Sequence, residues 1–281
     1  MKVNRNSEVS KQEIRNVSLD IFEKILDISK KLNIHVWVMY GTLIGAVRHK
    51  GFIPWDDDFD LVMKRDDYNK FVNYCITNKN ELSPYYIDHY SCNKNYPFYI
   101  SRICDPNYEL EFDNLSYKSG IFIDLYPLDG MGNDISYWRD THNVNFYTKK
   151  IRFFQDLIWY RNYKHSFIGD SFLKKLLHYS LGCYAKTRSN YYWFSKLDKI
   201  AATFDWDNSK FVAPVAWDTR VCAVQRCWFD KTVWLSFENI EVPVPSDYDK
   251  ILKEIYGDYM QLPPVNKRKA THYYKAYKLV K

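Results

Sequence analysis

Glycine and proline are sparse, 9 and 10 in 281 residues, which excludes collagen-like repeats and Gly/Pro-rich disordered chains. The six cysteines, Cys75, Cys92, Cys104, Cys183, Cys222 and Cys227, include no C-x-x-C pair, so zinc-ribbon and thioredoxin-type patterns are missing. A chain this long needs no disulfide staples, and reduced, structural thiols are expected. The Cys222-x4-Cys227 spacing is only loosely zinc-like, without a nearby His or second Cys pair. No stretch approaches the roughly 18 uncharged apolar residues of a membrane-spanning helix. Met1 to Ser10 lacks the apolar core of a secretory signal, and the expectation is a cytoplasmic location. A basic arm is missing too: 40 Lys and Arg against 34 Asp and Glu leave a net charge of +6, spread along the chain. That argues against nucleic acid as a partner and suits anionic small ligands or a lipid surface.

What is present is core material. Hydrophobic residues make up 46% and aromatic residues 18% of the chain, enough for one large globular domain or two small ones. Ser10-Lys-Gln-Glu13 has the capping-box pattern, and Ile14, Val17, Ile21, Ile25, Ile28 and Leu32 follow at helical spacing, predicting an amphipathic first helix. Val36 to Met39 reads as a strand running into Gly41-Thr42, then a short helix through Val47. Asp58 to Met63 alternates polar and apolar, as a half-buried strand does, and Asp66 is placed to cap the next helix. Further strands are expected around residues 85–87, 98–103 and 121–125. From 134 to about 203 the spacing turns helical. A last strand pair, 233–237 and 240–244, turns at Glu238-Asn239, and a helix capped by Ser246 should stop at Gly257. This sets out a catalytic core over 1–130, a mainly helical region over 131–210, and a C-terminal part over 211–281 packing back on the core.

Chemistry concentrates in residues 41–60. Asp56, Asp57, Asp58 and Asp60 fall within five positions, and on a strand Asp58 and Asp60 share a face. Carboxylates so close repel unless a cation lies between them or one is protonated. Mg²⁺, or Mn²⁺, takes oxygen ligands from one or two carboxylates plus substrate phosphates. A solvated acidic turn is the competing reading of any such run. Three neighbours favour a site. Gly41-Thr42 offers backbone N–H groups, a hydroxyl and a helix N-terminus to an anion. Arg48, His49 and Lys50 supply donors and positive charge. Phe122-Ile-Asp124-Leu125 places a lone carboxylate in an apolar run, where an unpaired charge is costly. Trp55 beside the acids is either a ligand platform or a wedge for the Pro54 turn. Lys267, Arg268 and His272 could reach an anion.

A strand ending in Gly-Thr, an Asp-x-Asp strand and a third strand with one Asp resemble the nucleotidyltransferase superfamily of the DNA polymerase β type. Tyr40-Gly-Thr-Leu-Ile-Gly-Ala-Val-Arg-His-Lys-Gly-Phe-Ile-Pro-Trp-Asp-Asp-Asp-Phe-Asp60 is more closely similar to the LicD family, which includes phosphocholine transferases and is related to fukutin-related protein. The resemblance continues through Ile121 to Gly130 and Phe237 to Pro264, with Lys267, Arg268 and His272 after it. It implies an α+β fold: a mixed sheet flanked by helices, with a helical insertion region. It also implies an enzyme moving phosphocholine or a similar phospho-alcohol from a CDP-linked donor to a sugar hydroxyl of a cell-surface glycan. The basic balance and the aromatic residues would permit a lipid-linked acceptor and peripheral association with the inner membrane face. By resemblance Asp58, Asp60 and Asp124 are the catalytic, metal-binding carboxylates, Gly41 and Thr42 the phosphate turn, and Lys267, Arg268 and His272 substrate contacts. The residues themselves add Arg48, Lys50 and His49 as contacts to the leaving group, Trp55 as a candidate ligand platform, and Asp56 and Asp57 as groups orienting the metal ligands. A nucleotidyltransferase placing CMP or AMP on a small molecule, or a non-catalytic choline- or glycan-binding module, are the alternatives.

Overall fold

The computed structural model describes residues 2–56, 58–113, 115–136, 146–162, 171–217, 223–269 and 274–280. Strand β1 (Lys2–Glu8) leads to helix α1 (Lys11–Leu32), which starts as its sequence dictates: Ser10 Oγ accepts the Glu13 N–H at 3.2 Å. Ile14, Val17, Ile21, Phe22, Ile25 and Ile28 form the buried stripe, each worth roughly 1.5–3 kcal/mol of burial. The helix ends at Asn33, left-handed at φ 51°.

Next come β2 (Trp37–Val38), α2 (Tyr40–His49), β3 (Asp60–Lys64), α3 (Arg65–Thr77), the single turn α4 (Lys79–Leu82) and β4 (Tyr86–Asp88). Two long strands follow, β5 (Ser101–Phe112) and β6 (Lys118–Gly130), then helices α5 (Phe146–Asn162), α6 (Phe172–Lys186) and α7 (Asn190–Ala201). After short β7 (Phe211–Ala213) and β8 (Val224–Gln225) come β9 (Thr232–Phe237), β10 (Ile240–Pro245), α8 (Tyr248–Tyr256) and β11 (Tyr274–Val280). The main sheet runs β1-β11-β5-β6-β3-β2, with β4 on the other half of β5 and β7-β8 on the end of β6. Among the described residues only β3 and β6 pair in parallel; the other ladders are antiparallel. The architecture is the expected α+β one.

Several local expectations shift. The segment read as a half-buried strand is buried on both sides from Asp60 to Met63, because α2 and α3 contact β3 while α1 and α3 contact β6. Asp58 precedes the strand. The N-cap positions of α3 and α8 fall on Lys64 and Asp247 rather than Asp66 and Ser246, neither side chain making a capping hydrogen bond, while Gly257 does end α8 at φ 68°. β1 and β11 escaped the sequence reading: they pair with each other, and β11 continues onto β5 through Tyr274 opposite Phe112.

The helices are tied to the sheet by a buried polar network. Arg65 donates to Asp129 on β6 at 2.7 Å, to Asp198 on α7 at 2.7 Å and to the Tyr99 hydroxyl at 2.8 Å. A buried cation stands only when paired and hydrogen-bonded on this scale. Cys75, Cys92, Cys104, Cys183 and Cys227 are free thiols, as expected, and Cys222 lies outside the described residues.

Candidate active site

The parallel register of β3 on β6 sets Asp60 directly beside Asp124. The β3 end is then pinned: Asp60 N–H donates to Thr42 Oγ1 at 2.9 Å, Met39 N–H to the Asp60 carbonyl at 3.0 Å, and Asp124 N–H to the Phe59 carbonyl at 3.1 Å. Thr42, expected as a phosphate contact, thus sits buried in the first turn of α2 and positions the Asp60 backbone. The chain reverses one residue earlier than expected, at Tyr40 with φ 52°. The first-turn N–H groups of α2 lack intrahelical acceptors and suit an anion.

Asp56 reaches the same place from the preceding loop. A Cβ on Gly41 would lie 2.5 Å from Asp56 Oδ2, so the glycine is there because a carboxylate lies over it. The loop is held by α1: the Arg15 guanidinium donates to the carbonyls of Ile53 and Asp56, both at 2.8 Å, and Lys11 Nζ to that of Trp55 at 3.2 Å. Neither residue was flagged by the sequence, since amphipathic periodicity assigns both to the polar side of a helix.

Burial pushes the Asp60 carboxyl well above the usual carboxylate range, and the charges of Asp58, Asp124 and Asp56 push the same way, while a hydrogen bond from Tyr126 opposes them. Tyr126 is itself buried, and its ring meets Tyr40 at 5.3 Å and Trp217 at 5.4 Å. Asp124 is not the lone carboxylate the sequence suggested. Arg102 on β5 donates to its Oδ1 at 2.6 Å, and the guanidinium lies between the rings of Phe98 and Phe122, at 3.9 and 3.7 Å. Asp124 is therefore compensated without any ion, and Arg102 is a further residue that sequence reasoning missed.

Among the described residues, no three His, Cys, Asp or Glu side chains form a ready metal cage. The donor set that fits a hard cation is Asp58 with the desolvated Asp60, two carboxylates whose mutual repulsion a Mg²⁺ would relieve, the remaining positions falling to phosphate oxygens and water.

The basic residues gather separately. Arg48 Nε donates to His49 Nε2 at 2.9 Å and Arg48 also to the Tyr259 carbonyl at 2.6 Å. Arg268 lies over the Trp55 ring at 5.6 Å, and Trp55 meets His49 edge-on at 6.3 Å. Burial, then the neighbouring Arg268 charge, holds the Arg48 guanidinium below its ordinary value, and burial with Arg48 does the same to His49. Two repelling guanidiniums beside a neutral imidazole suit an anion. Seven residues separate Gly41 from Arg48 along α2, roughly 10 Å at helical rise, and Trp55, next in sequence to Asp56, links this cluster to the carboxylates. Lys50 and Lys267 are exposed; the Lys50 carbonyl accepts the Glu238 N–H at 2.8 Å in the turn that ends α2. Asp57 and His272 lie outside the described residues.

A cavity of about 450 Å³ is walled by Phe98, Tyr99, Trp159, Phe194 and Trp217 with Asp156 among them, and none of the carboxylates of the acidic cluster lines it. Trp217 contacts Tyr126, the partner of Asp60, and Phe98 contacts Arg102, the partner of Asp124.

Comparison with known proteins adds two findings. The family model described as "LicD/FKTN/FKRP, nucleotidyltransferase domain" matches residues 33–175. The chain is 28% identical over 276 residues to the lipopolysaccharide cholinephosphotransferase LicD of Haemophilus influenzae, covering 93% of this chain and 95% of that protein. A shorter likeness, 49% over 41 residues and 15% of each chain, links it to the uncharacterized protein RP689 of Rickettsia prowazekii.

Proposed function

Because the chain belongs to the LicD/FKTN/FKRP nucleotidyltransferase-domain family, we propose that it is a transferase that moves phosphocholine from a CDP-linked donor to a sugar hydroxyl of a surface glycan, releasing CMP. The observation that carries this reading is the convergence of Asp56, Asp58 and Asp124 on the buried Asp60, a concentration of negative charge that calls for a cation and a phosphate. The full-length likeness to a cholinephosphotransferase supports the choice of group.

Asp58 and Asp60 would hold Mg²⁺ together with the donor diphosphate; bound there, the ion neutralises charge as the phosphorus–oxygen bond to CMP breaks. The chain does the rest. Thr42 fixes the backbone of Asp60, Arg15 fixes the loop that carries Asp56, and Arg102 fixes one oxygen of Asp124. The other oxygen of Asp124 takes the proton of the attacking hydroxyl. That hydroxyl oxygen bonds to the phosphorus bearing choline, and the oxygen bridging to CMP leaves with its electron pair. Arg48 and Arg268 suit the anionic nucleotide. The aromatic cavity suits the trimethylammonium end, which needs ring faces and a nearby carboxylate rather than hydrogen-bond donors.

The test is product analysis with CDP-choline, Mg²⁺ and a glycan acceptor. CMP release is expected, with Asp58→Asn and Asp60→Asn each lowering it by about 10³-fold or more while circular dichroism stays that of the parent. Pyrophosphate release from CTP would instead identify a nucleotidyltransferase, and full turnover by either variant would remove the metal assignment.

A further inference from the structure

Helix α6 turns most of its surface to solvent. On one side Ala185 is buried, Leu181 is half-buried and the His178 ring rests 5.4 Å from Tyr160 of α5. At 100° per residue the opposite side carries Phe172, Leu173, Leu176, Leu177 and Tyr184, whose exposures are 79, 75, 52, 57 and 52%. Single exposed leucines are ordinary, but five large apolar residues on one outward face of one helix are not. The helix has no acidic residue and carries Lys174, Lys175 and Lys186, all exposed. Over residues 146–189 the sequence contains nine Lys and Arg against two Asp, so this stretch of the chain is more basic than the rest.

We propose that α6 is an interfacial helix that docks the protein on an anionic lipid bilayer. The occupant follows from the combination of groups. A bilayer surface takes Leu, Phe and Tyr side chains into the boundary between headgroups and acyl chains, and places lysines at the depth of lipid phosphates. A second copy of the chain meeting the same face about a two-fold axis would bring like-charged lysines together. No helix among the described residues is long and apolar enough to cross a membrane, so the contact lies in the membrane plane. Docking would hold the transferase beside an acceptor carried on a lipid, but the inference stands on α6 alone and is independent of the reaction proposed above.

The experiment is vesicle flotation of the full chain with phosphatidylcholine vesicles and with vesicles that also contain phosphatidylglycerol, at low and high salt. Flotation with the anionic vesicles, weakened by salt, is expected, and Leu176→Glu with Leu177→Glu should lower the bound fraction by about tenfold or more. Circular dichroism and CMP release with a water-soluble acceptor should match the parent, because both side chains already face solvent. Lys174→Glu with Lys175→Glu should weaken binding to anionic vesicles and leave the weaker binding to neutral vesicles unchanged. Failure of the parent chain to float with anionic vesicles, or equal flotation of the double-glutamate variant, would overturn the proposal. So would a parent dimer in sedimentation that Leu176→Glu with Leu177→Glu converts to a monomer without any loss of vesicle binding.

Discussion

Gly41 shows how much one side chain can be about another. The sequence marks it as a turn glycine near acids, but in the structure it lies inside the first turn of α2, where glycine is a weak helix former. Its value lies in the space occupied by Asp56 Oδ2, 2.5 Å from where a Cβ would stand. Gly41→Ala should therefore leave overall stability within about 1 kcal/mol of the parent, since better helix propensity offsets a clash with a movable carboxylate. Activity should fall by about tenfold or more as Asp56 is displaced. Thermal unfolding and CMP release measured on the same preparation check both halves. Asp60 teaches the complementary lesson: an acidic run is visible in any sequence, while the burial that pushes this one carboxyl well above the usual carboxylate range comes from strands and helices far apart in the chain.

At the scale of elements, the site is a property of strand order. Asp124 meets Asp60 because β6 lies parallel to β3, and it meets Arg102 because β5 lies antiparallel on the other side of β6. Arg102 and Asp124 are both nearly buried, with side-chain exposures of 5 and 10%. Removing one partner of such a pair leaves an uncompensated buried charge. Arg102→Ala should cost about 3–5 kcal/mol in urea unfolding. Adding Asp124→Asn should recover part of that loss, because an amide needs no counter-charge. If the two changes proved additive, the pair would not be coupled. The hairpin β9-β10 and α8 were legible because their signals are local: alternation, a polar turn at Glu238-Asn239 and a terminal glycine. β1 and β11 were not, because strands this rich in polar and charged residues declare themselves only through the partner they find.

For the molecule as a whole, the join between sheet and helices centres on Arg65 with Asp129, Asp198 and Tyr99. His89 is buried at the edge of this network, its ring 4.1 Å from Tyr90 and 6.4 Å from Tyr68. Burial, aided by the Arg65 charge against the opposing pull of Asp198, lowers its pKa from 6.5 to about 4. The folded protein thus binds a proton less readily than the unfolded chain. The stabilisation is complete above pH 6.5 and is lost as pH falls from there toward 4, by at most about 3 kcal/mol. Urea unfolding at pH 7.5 and pH 4.5 should show that loss, and His89→Gln should reduce the difference between the two pH values. An unchanged difference would remove His89 from the acid response.

The sequence by itself determined the family, the acidic strand and the amphipathic elements, because a capping box, a hydrophobic period or an Asp-x-Asp spacing is written in neighbouring residues. It also brought together Arg48, His49 and Trp55, which are close in the chain. The tertiary structure decided the rest: that Arg102 and Asp124 are a pair, that Thr42 serves the Asp60 backbone, that Lys50 is exposed, and that Arg15 secures the loop carrying Asp56. It alone separated apolar residues that fill a core from those of α6 that face outward. The physical reason is common to all of these. Desolvation, charge compensation and exposure depend on which surfaces meet in space, and those meetings join residues tens to hundreds of positions apart.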